Sequence, residues 1–177
     1  TGGIVGECNW GKSGREDHPI NCVDWGQART FSRWVGGDLP TEAQWEYAAY
    51  GGQSYKYAGS NYPAEVAWYR SNTNNTTREV KTKRKNGYQL YDMSGNVWEW
   101  TLDKRHDNYY GAPNRGERPW GDVPKCNKRC PNGSSRRVSR GGGWSGRAGC
   151  LRVAFRYRFD PDVRNTELGF RPRRTVP

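Results

Sequence analysis

Three glycine-and-aromatic signatures follow one another along this chain: Gly95-Asn96-Val97-Trp98-Glu99-Trp100, Arg140-Gly141-Gly142-Gly143-Trp144 and Leu168-Gly169-Phe170-Arg171. One such cluster arises by chance, whereas three in order constrain the fold sharply. The 177 residues include 23 Gly and 10 Pro, which implies many turns and few long regular elements. That length supports one sizeable core, and residues 1–177 read as a single domain. A mean hydropathy of −1.13 points by itself to disorder. Nine Trp, eleven Tyr and four Phe outweigh it, because they supply the buried area that disordered chains lack.

The net charge of +11 is unevenly placed. From Lys125 onward two Lys and twelve Arg face only Asp160, Asp162 and Glu167, while the first 124 residues balance at 15 basic and 15 acidic groups. Two destinations fit this excess. One is an anionic partner, of which nucleic acid is a special case. The other is a scaffold in which guanidinium groups bond carbonyls and stack on Trp.

The five cysteines are Cys8, Cys22, Cys126, Cys130 and Cys150. Cys8 and Cys22 flank a polar loop that a disulfide could close, and a bridge there implies an oxidising, extracytoplasmic setting. Cys126 and Cys130 lie in a Pro/Gly-rich loop without a second ligand pair, which favours a loop disulfide or two free thiols over zinc. No run of about 18 apolar residues exists, so no membrane span is expected. No signal peptide is visible either, and the abrupt opening at Thr1 leaves room for an earlier segment.

Two capping boxes predict helices. Asp24 with Gln27 opens one that carries Ala28, Phe31, Trp34 and Val35 at helical spacing and stops at Gly36-Gly37. Thr41 with Gln44 opens another, with Trp45, Ala48 and Ala49 on one face and Gly51-Gly52 at its end. Weak alternation at Tyr88–Met93 and the segment that follows read as short strands. Residues 103–137 read as a long surface excursion. Asn74, Asn75 and Asn132 head glycosylation sequons that an Asn- and Ser/Thr-rich chain produces by chance. Leu151–Phe159 alternates with period two, which argues for a strand: Leu151, Val153, Phe155, Tyr157 and Phe159 on one face, Arg152, Ala154, Arg156 and Arg158 on the other.

The signatures resemble the formylglycine-generating enzyme (sulfatase-modifying factor) superfamily. The likeness runs from about Asn21 to Arg171. It includes His18–Trp25, Leu39–Ala49, Leu90–Trp100 and the segment from Arg140. It implies an α+β, C-type-lectin-like fold with two short helices, short antiparallel strands and a large irregular fraction, here lacking the N-terminal strands. The superfamily contains both oxidases and modules that only bind. The oxidases carry two thiols shortly after the Gly-Gly motif for copper, a soft ion suited to sulfur. Here Gly146 stands at the first position and only Cys150 follows, so a two-thiol site is not expected. Two histidines, His18 in a turn and His106 in a charged loop, supply neither iron ligands nor a triad.

From Arg140 on, the frame Arg-Gly-Gly-x-Trp, Arg-x-Ala-x-Arg, Asp-Pro-Asp-x-Arg and Gly-Phe-Arg is closer to the variable proteins of diversity-generating retroelements and their fixed relatives. That branch implies a ligand-binding surface at Trp144, Ser145, Gly146, Arg147, Phe155, Tyr157, Phe159 and Val163. Glu167, in a usually Asn-like slot, favours a fixed relative. Periodicity alone would bury Phe155, Tyr157 and Phe159 and expose the Arg row. The resemblance implies the reverse, with Arg152 and Arg156 locked into the scaffold, and that is the reading adopted. It further implies calcium on backbone carbonyls near Ser94, Gly95 and Val97 with Glu99 as the one carboxylate, hard oxygen donors that suit the ion. The function expected is a non-catalytic module binding a protein or other anionic ligand. The alternatives are a copper-dependent oxidase working through Cys150, and nucleic-acid binding through the basic final third.

Overall fold

A computed structural model describes residues 8–106 and 136–174. Cys126, Cys130, Asn132 and most of the 103–137 excursion lie outside the described residues. The architecture is α+β. Helix α1 spans Trp25–Trp34, α2 Glu42–Tyr50 and α3 Pro63–Val66. The strands are β1 Ala67–Trp68, β2 Ser94–Gly95, β3 Trp98–Lys104, β4 Arg137–Arg140, β5 Tyr157–Phe159 and β6 Leu168–Gly169. The main sheet runs β5-β4-β3-β6. Both pairings of β4 are antiparallel, as expected, but β6 lies parallel to β3 and β1 parallel to β2.

Both capping boxes form. The Gln27 N–H donates to Asp24 and the Gln44 N–H to Thr41, and each Gln side chain returns a bond to the cap N–H. A cap of this kind contributes about 1 kcal/mol, which matters for helices of 10 and 9 residues. The face of α2 is as read, with Trp45 and Ala49 buried. That of α1 is not: Ala28 and Ser32 are buried, whereas Phe31 is 47% and Trp34 79% exposed. Docking is fixed by two indoles, Trp25 donating to the Thr101 carbonyl at 2.8 Å and Trp100 to that of Val23 at 3.0 Å.

Strand β3 is buried along all but its last residue and divides the core. On one side Trp98, Trp100 and Leu102 pack with Ala28, Leu39 and Leu168. Elsewhere Trp45 and Ala49 pack with Met93 and Val153, and Leu151 with Tyr57 and Val66. Cys8 and Cys22 form a disulfide.

One expected strand is absent and another is cut short. At 88–93 the Asn86 carboxamide accepts the N–H groups of Tyr88 and Leu90, and Gln89 and Asp92 adopt φ of 64° and 56°. That side-chain-held turn replaces the strand. Over 151–159 only β5 is extended. A 3-10 turn covers Ala148–Leu151, and the Phe155 N–H closes onto the Arg152 carbonyl at 2.9 Å. Leu151 ends the 3-10 turn and Val153 lies within the turn that follows, and both are buried, which gives the burial spacing of a strand without one.

Candidate ligand-binding face

The scaffold beneath the face is ionic. Arg140, fully buried, donates to Glu42 at 3.0 Å, to Glu46, and to the Val153 carbonyl at 2.8 Å. Arg156 grips the same Glu42 in a bidentate pair at 2.6 and 2.7 Å and reaches the His106 carbonyl at 3.1 Å. One carboxylate at the start of α2 thus holds both ends of the segment from 140 to 156, and fork geometry is what guanidinium supplies and ammonium does not. The expectation for Arg156 is met. That for Arg152 is corrected: it is exposed, donates to the Gly149 carbonyl at 3.0 Å and lies 6.0 Å over the Phe155 ring. Lying just past the 3-10 turn, it rims the aromatic face rather than anchoring it.

Trp98, 7% exposed, is the hub of that face. Its ring lies 6.0 Å from Phe155, 5.2 Å from Tyr157 and 6.4 Å from Phe159, in tilted and edge-on contacts that aromatic quadrupoles favour. Of the three residues expected to be displayed, Tyr157 is 46% exposed, while Phe155 and Phe159 are half-buried against the Trp98 cluster. The face is therefore a seated cluster with one projecting ring. Val163 and Cys150 pack on the same cluster.

The glycine turn at 141–146 closes one side. Gly142 holds φ +82°, and a Cβ there would lie 2.5 Å from Leu151 Cδ2. A Cβ at Gly143 would meet Trp98 at 3.1 Å and Glu167 at 2.6 Å, so this turn rests on the hub. Trp144, half-buried, donates its indole N–H to the Thr166 carbonyl at 3.3 Å and its backbone N–H to Asn96 O at 2.8 Å. Ser145 donates to Glu167, and Arg147 is exposed. A Cβ at Gly146 would lie 3.8 Å from the Cβ of Cys150, the one free cysteine among the described residues. Position 146 faces that thiol, but glycine brings no second sulfur. The donor set does not fit copper.

The calcium set does not fit either. Glu99 Oε2 accepts the Trp45 indole and Arg171 Nε, both at 2.6 Å, and Oε1 accepts Arg171 Nη2 at 2.6 Å. The carboxylate is thereby neutralised by a guanidinium where a dication would need it. Burial works against the Arg171 charge, but the Glu99 carboxylate outweighs it and pushes the guanidinium above its ordinary range. Ser94 Oγ is likewise engaged, donating to the Leu151 carbonyl and accepting from the Ala58 N–H. The carbonyls expected as donors at Ser94, Gly95 and Val97 are thus left without the one carboxylate that was to balance the ion. Among the described residues no group of three or more His, Cys, Asp or Glu side chains converges.

Two participants were not legible as site residues in the sequence. Trp98 stands in the first signature, where it reads as packing, and the turn on Gly143 is what makes it a floor. Asp92 belongs to the Glu99 site: with Glu99 and Arg171 it lines a cavity of about 420 Å³ separate from the Trp98 face, its Oδ2 accepting the Lys81 N–H at 2.8 Å and its Oδ1 without a hydrogen-bond partner. Burial pushes its carboxyl up from the usual aspartate range.

The chain is similar to known proteins in sequence and in fold. The chain is 34% identical to the formylglycine-generating enzyme of Streptomyces coelicolor, over 90% of the chain and 53% of that protein. It is 37% identical to the serine/threonine-protein kinase pkn1 of Chlamydia pneumoniae, over 89% of the chain and 24% of that protein. It therefore spans about half the length of the first relative and about a quarter of the second. Among solved structures, variable protein 1 of Treponema denticola superposes with a TM-score of 0.73 at 30% identity, covering 96% of this chain and 73% of its own. No described helix is long and apolar enough to cross a membrane. The profile of the sulfatase-modifying factor enzyme 1-like domain matches residues 5–176, and the chain belongs to that family.

Proposed function

We propose that this domain is a non-catalytic ligand-binding module whose face around Trp98 meets a protein or other anionic ligand. Tyr157 carries this reading: a ring 46% exposed on a chain rich in polar residues, stacked 5.2 Å from a buried Trp. A rigid aromatic anchor on a packed floor, with exposed guanidinium groups near it, has the composition of a binding hot spot. Exposed Arg147 and Arg152 supply that rim. Likeness to a variable protein supports the same reading. The Cys8–Cys22 bridge supports an oxidising compartment.

The second reading, a copper-dependent formylglycine-generating oxidase, is favoured by identity to the Streptomyces enzyme and by Cys150 beside position 146. Copper(I) titration with oxygen consumption on a Cys-containing peptide separates the two. The binding reading expects neither tight copper nor turnover in the native chain, and both together overturn it. A glutamate-rich peptide, followed by tryptophan fluorescence, is expected to bind and to lose affinity in Tyr157→Ala and Arg152→Ala. If a DNA duplex binds instead, with affinity falling steeply with salt, the basic final third is a nucleic-acid surface.

A further inference from the structure

A second cluster of aromatic side chains lies where α2 ends, apart from the Trp98 face. Tyr47 and Tyr88 are 69% and 43% exposed, their rings 5.5 Å apart and their hydroxyls joined at 2.9 Å. The backbone beneath is glycine. A Cβ at Gly52 would touch the Tyr88 ring at 3.4 Å, and one at Gly87 would overlap the Gly51 carbonyl at 2.2 Å and press on the Gln53 side chain at 3.2 Å. Where the chain leaves α2, Tyr50 and Tyr55 line a shallow hollow of about 610 Å³ together with Gln53, Ser54, Lys56 and Asn61.

Its polar groups form a complementary set. Asn61 Oδ1 accepts the Lys56 N–H at 3.0 Å, which leaves its Nδ2 as a donor. Gln53 Oε1 is buried with no hydrogen-bond partner, a costly placement that nothing anchors. Its terminal torsion is soft, so the amide turns readily to offer that oxygen as an acceptor. No carboxylate lines the hollow, and its one cation, Lys56, lies 5.7 Å over the Tyr57 ring.

We infer that this shelf binds a neutral saccharide chain. Tyrosine faces match the C–H faces of pyranose rings, and an acceptor amide beside a donor amide matches hydroxyls that both give and receive hydrogen bonds. A proline-rich peptide would satisfy the rings but brings too few donors for Gln53, and an anionic glycan would find too little positive charge. The inference is independent of the Trp98 face.

Titration of the full chain with maltohexaose, cellohexaose and chitohexaose, read by saturation-transfer NMR and calorimetry, tests it. At least one is expected to bind with a millimolar Kd. Tyr55→Ala and Gln53→Ala should each weaken binding about five- to tenfold without lowering Tm, while Tyr157→Ala leaves binding unchanged. The inference is overturned if none of the three saturates by about 20 mM, if Tyr157→Ala removes the binding, or if decaproline binds and the saccharides do not.

Discussion

The ionic lattice around Glu42 and the aromatic face around Trp98 are built from one stretch of chain, yet their side chains go in opposite directions. Arg140 and Arg156 turn inward and share a carboxylate; Tyr157, immediately after Arg156, turns outward on a tryptophan. The usual assignment of charge to the surface and aromatics to the core is inverted. Buried guanidinium is tolerable here because nearly every donor meets a carboxylate or carbonyl. What differs is coupling: the lattice holds distant segments together, whereas the projecting ring touches only its own cluster. Stability should concentrate in the first region and recognition in the second.

The sharpest way to break this contrast is Arg140→Ala. It leaves Glu42 and Glu46 in poor surroundings, and a loss of about 3–5 kcal/mol is expected in urea unfolding. A loss below about 1 kcal/mol would mean the lattice is ornamental to the fold. Next comes Phe159→Ala, half-buried against Trp98 and Trp100, for which about 2 kcal/mol is expected by the same measurement. Tyr157→Ala should cost under about 0.5 kcal/mol while abolishing binding of the glutamate-rich peptide. If it destabilises as much as Phe159→Ala, the ring belongs to the core and the contrast fails.

The smallest effect is a tilt in pH dependence. Because burial raises the Asp92 carboxyl in the folded chain, folding favours its protonated form. That contribution is fully present below the unfolded pKa of about 3.9 and is lost as pH rises through the folded value. Asp92→Asn keeps an acceptor for Lys81 and suits the positive φ. It should therefore raise Tm at pH 7, with the gain vanishing toward about pH 4 in thermal scans. A variant that loses stability at pH 7 would show that the charged form is the one the fold prefers.

Signals confined to a few neighbouring residues were legible in the sequence. Asp24 with Gln27 and Thr41 with Gln44 each satisfy a helix start within one turn, so both helices were readable to within a residue or two. Long-range satisfaction was not. Nothing local marks Glu42 as the partner of both Arg140 and Arg156, nor predicts that Arg171 would occupy Glu99 in place of an ion. The alternation from Leu151 to Phe159 misled for a related reason: a 3-10 turn and a bend bury residues 151 and 153 as a strand would. Phe31 and Trp34 have helical spacing, but the face the helix buries is that of Ala28 and Ser32, with Ala28 packed on Trp98, Trp100 and Leu102. Of the predicted face, Phe155, Tyr157 and Phe159 do gather on Trp98, because pairing of β5 with β4 brings their segment over the hub, and Val163 packs on the same core cluster.

Glu42 receives guanidinium groups from positions 140 and 156, so the intervening chain is clamped at both ends to a single acid at the mouth of a helix. Such a mounting works like a jeweller's bezel. The path between the two clamps is held by its ends, so exchanges at exposed positions such as Arg147 and Arg152 should leave that path in place, whereas the glycines at 142 and 143 and the buried Leu151 and Val153 are part of the setting itself.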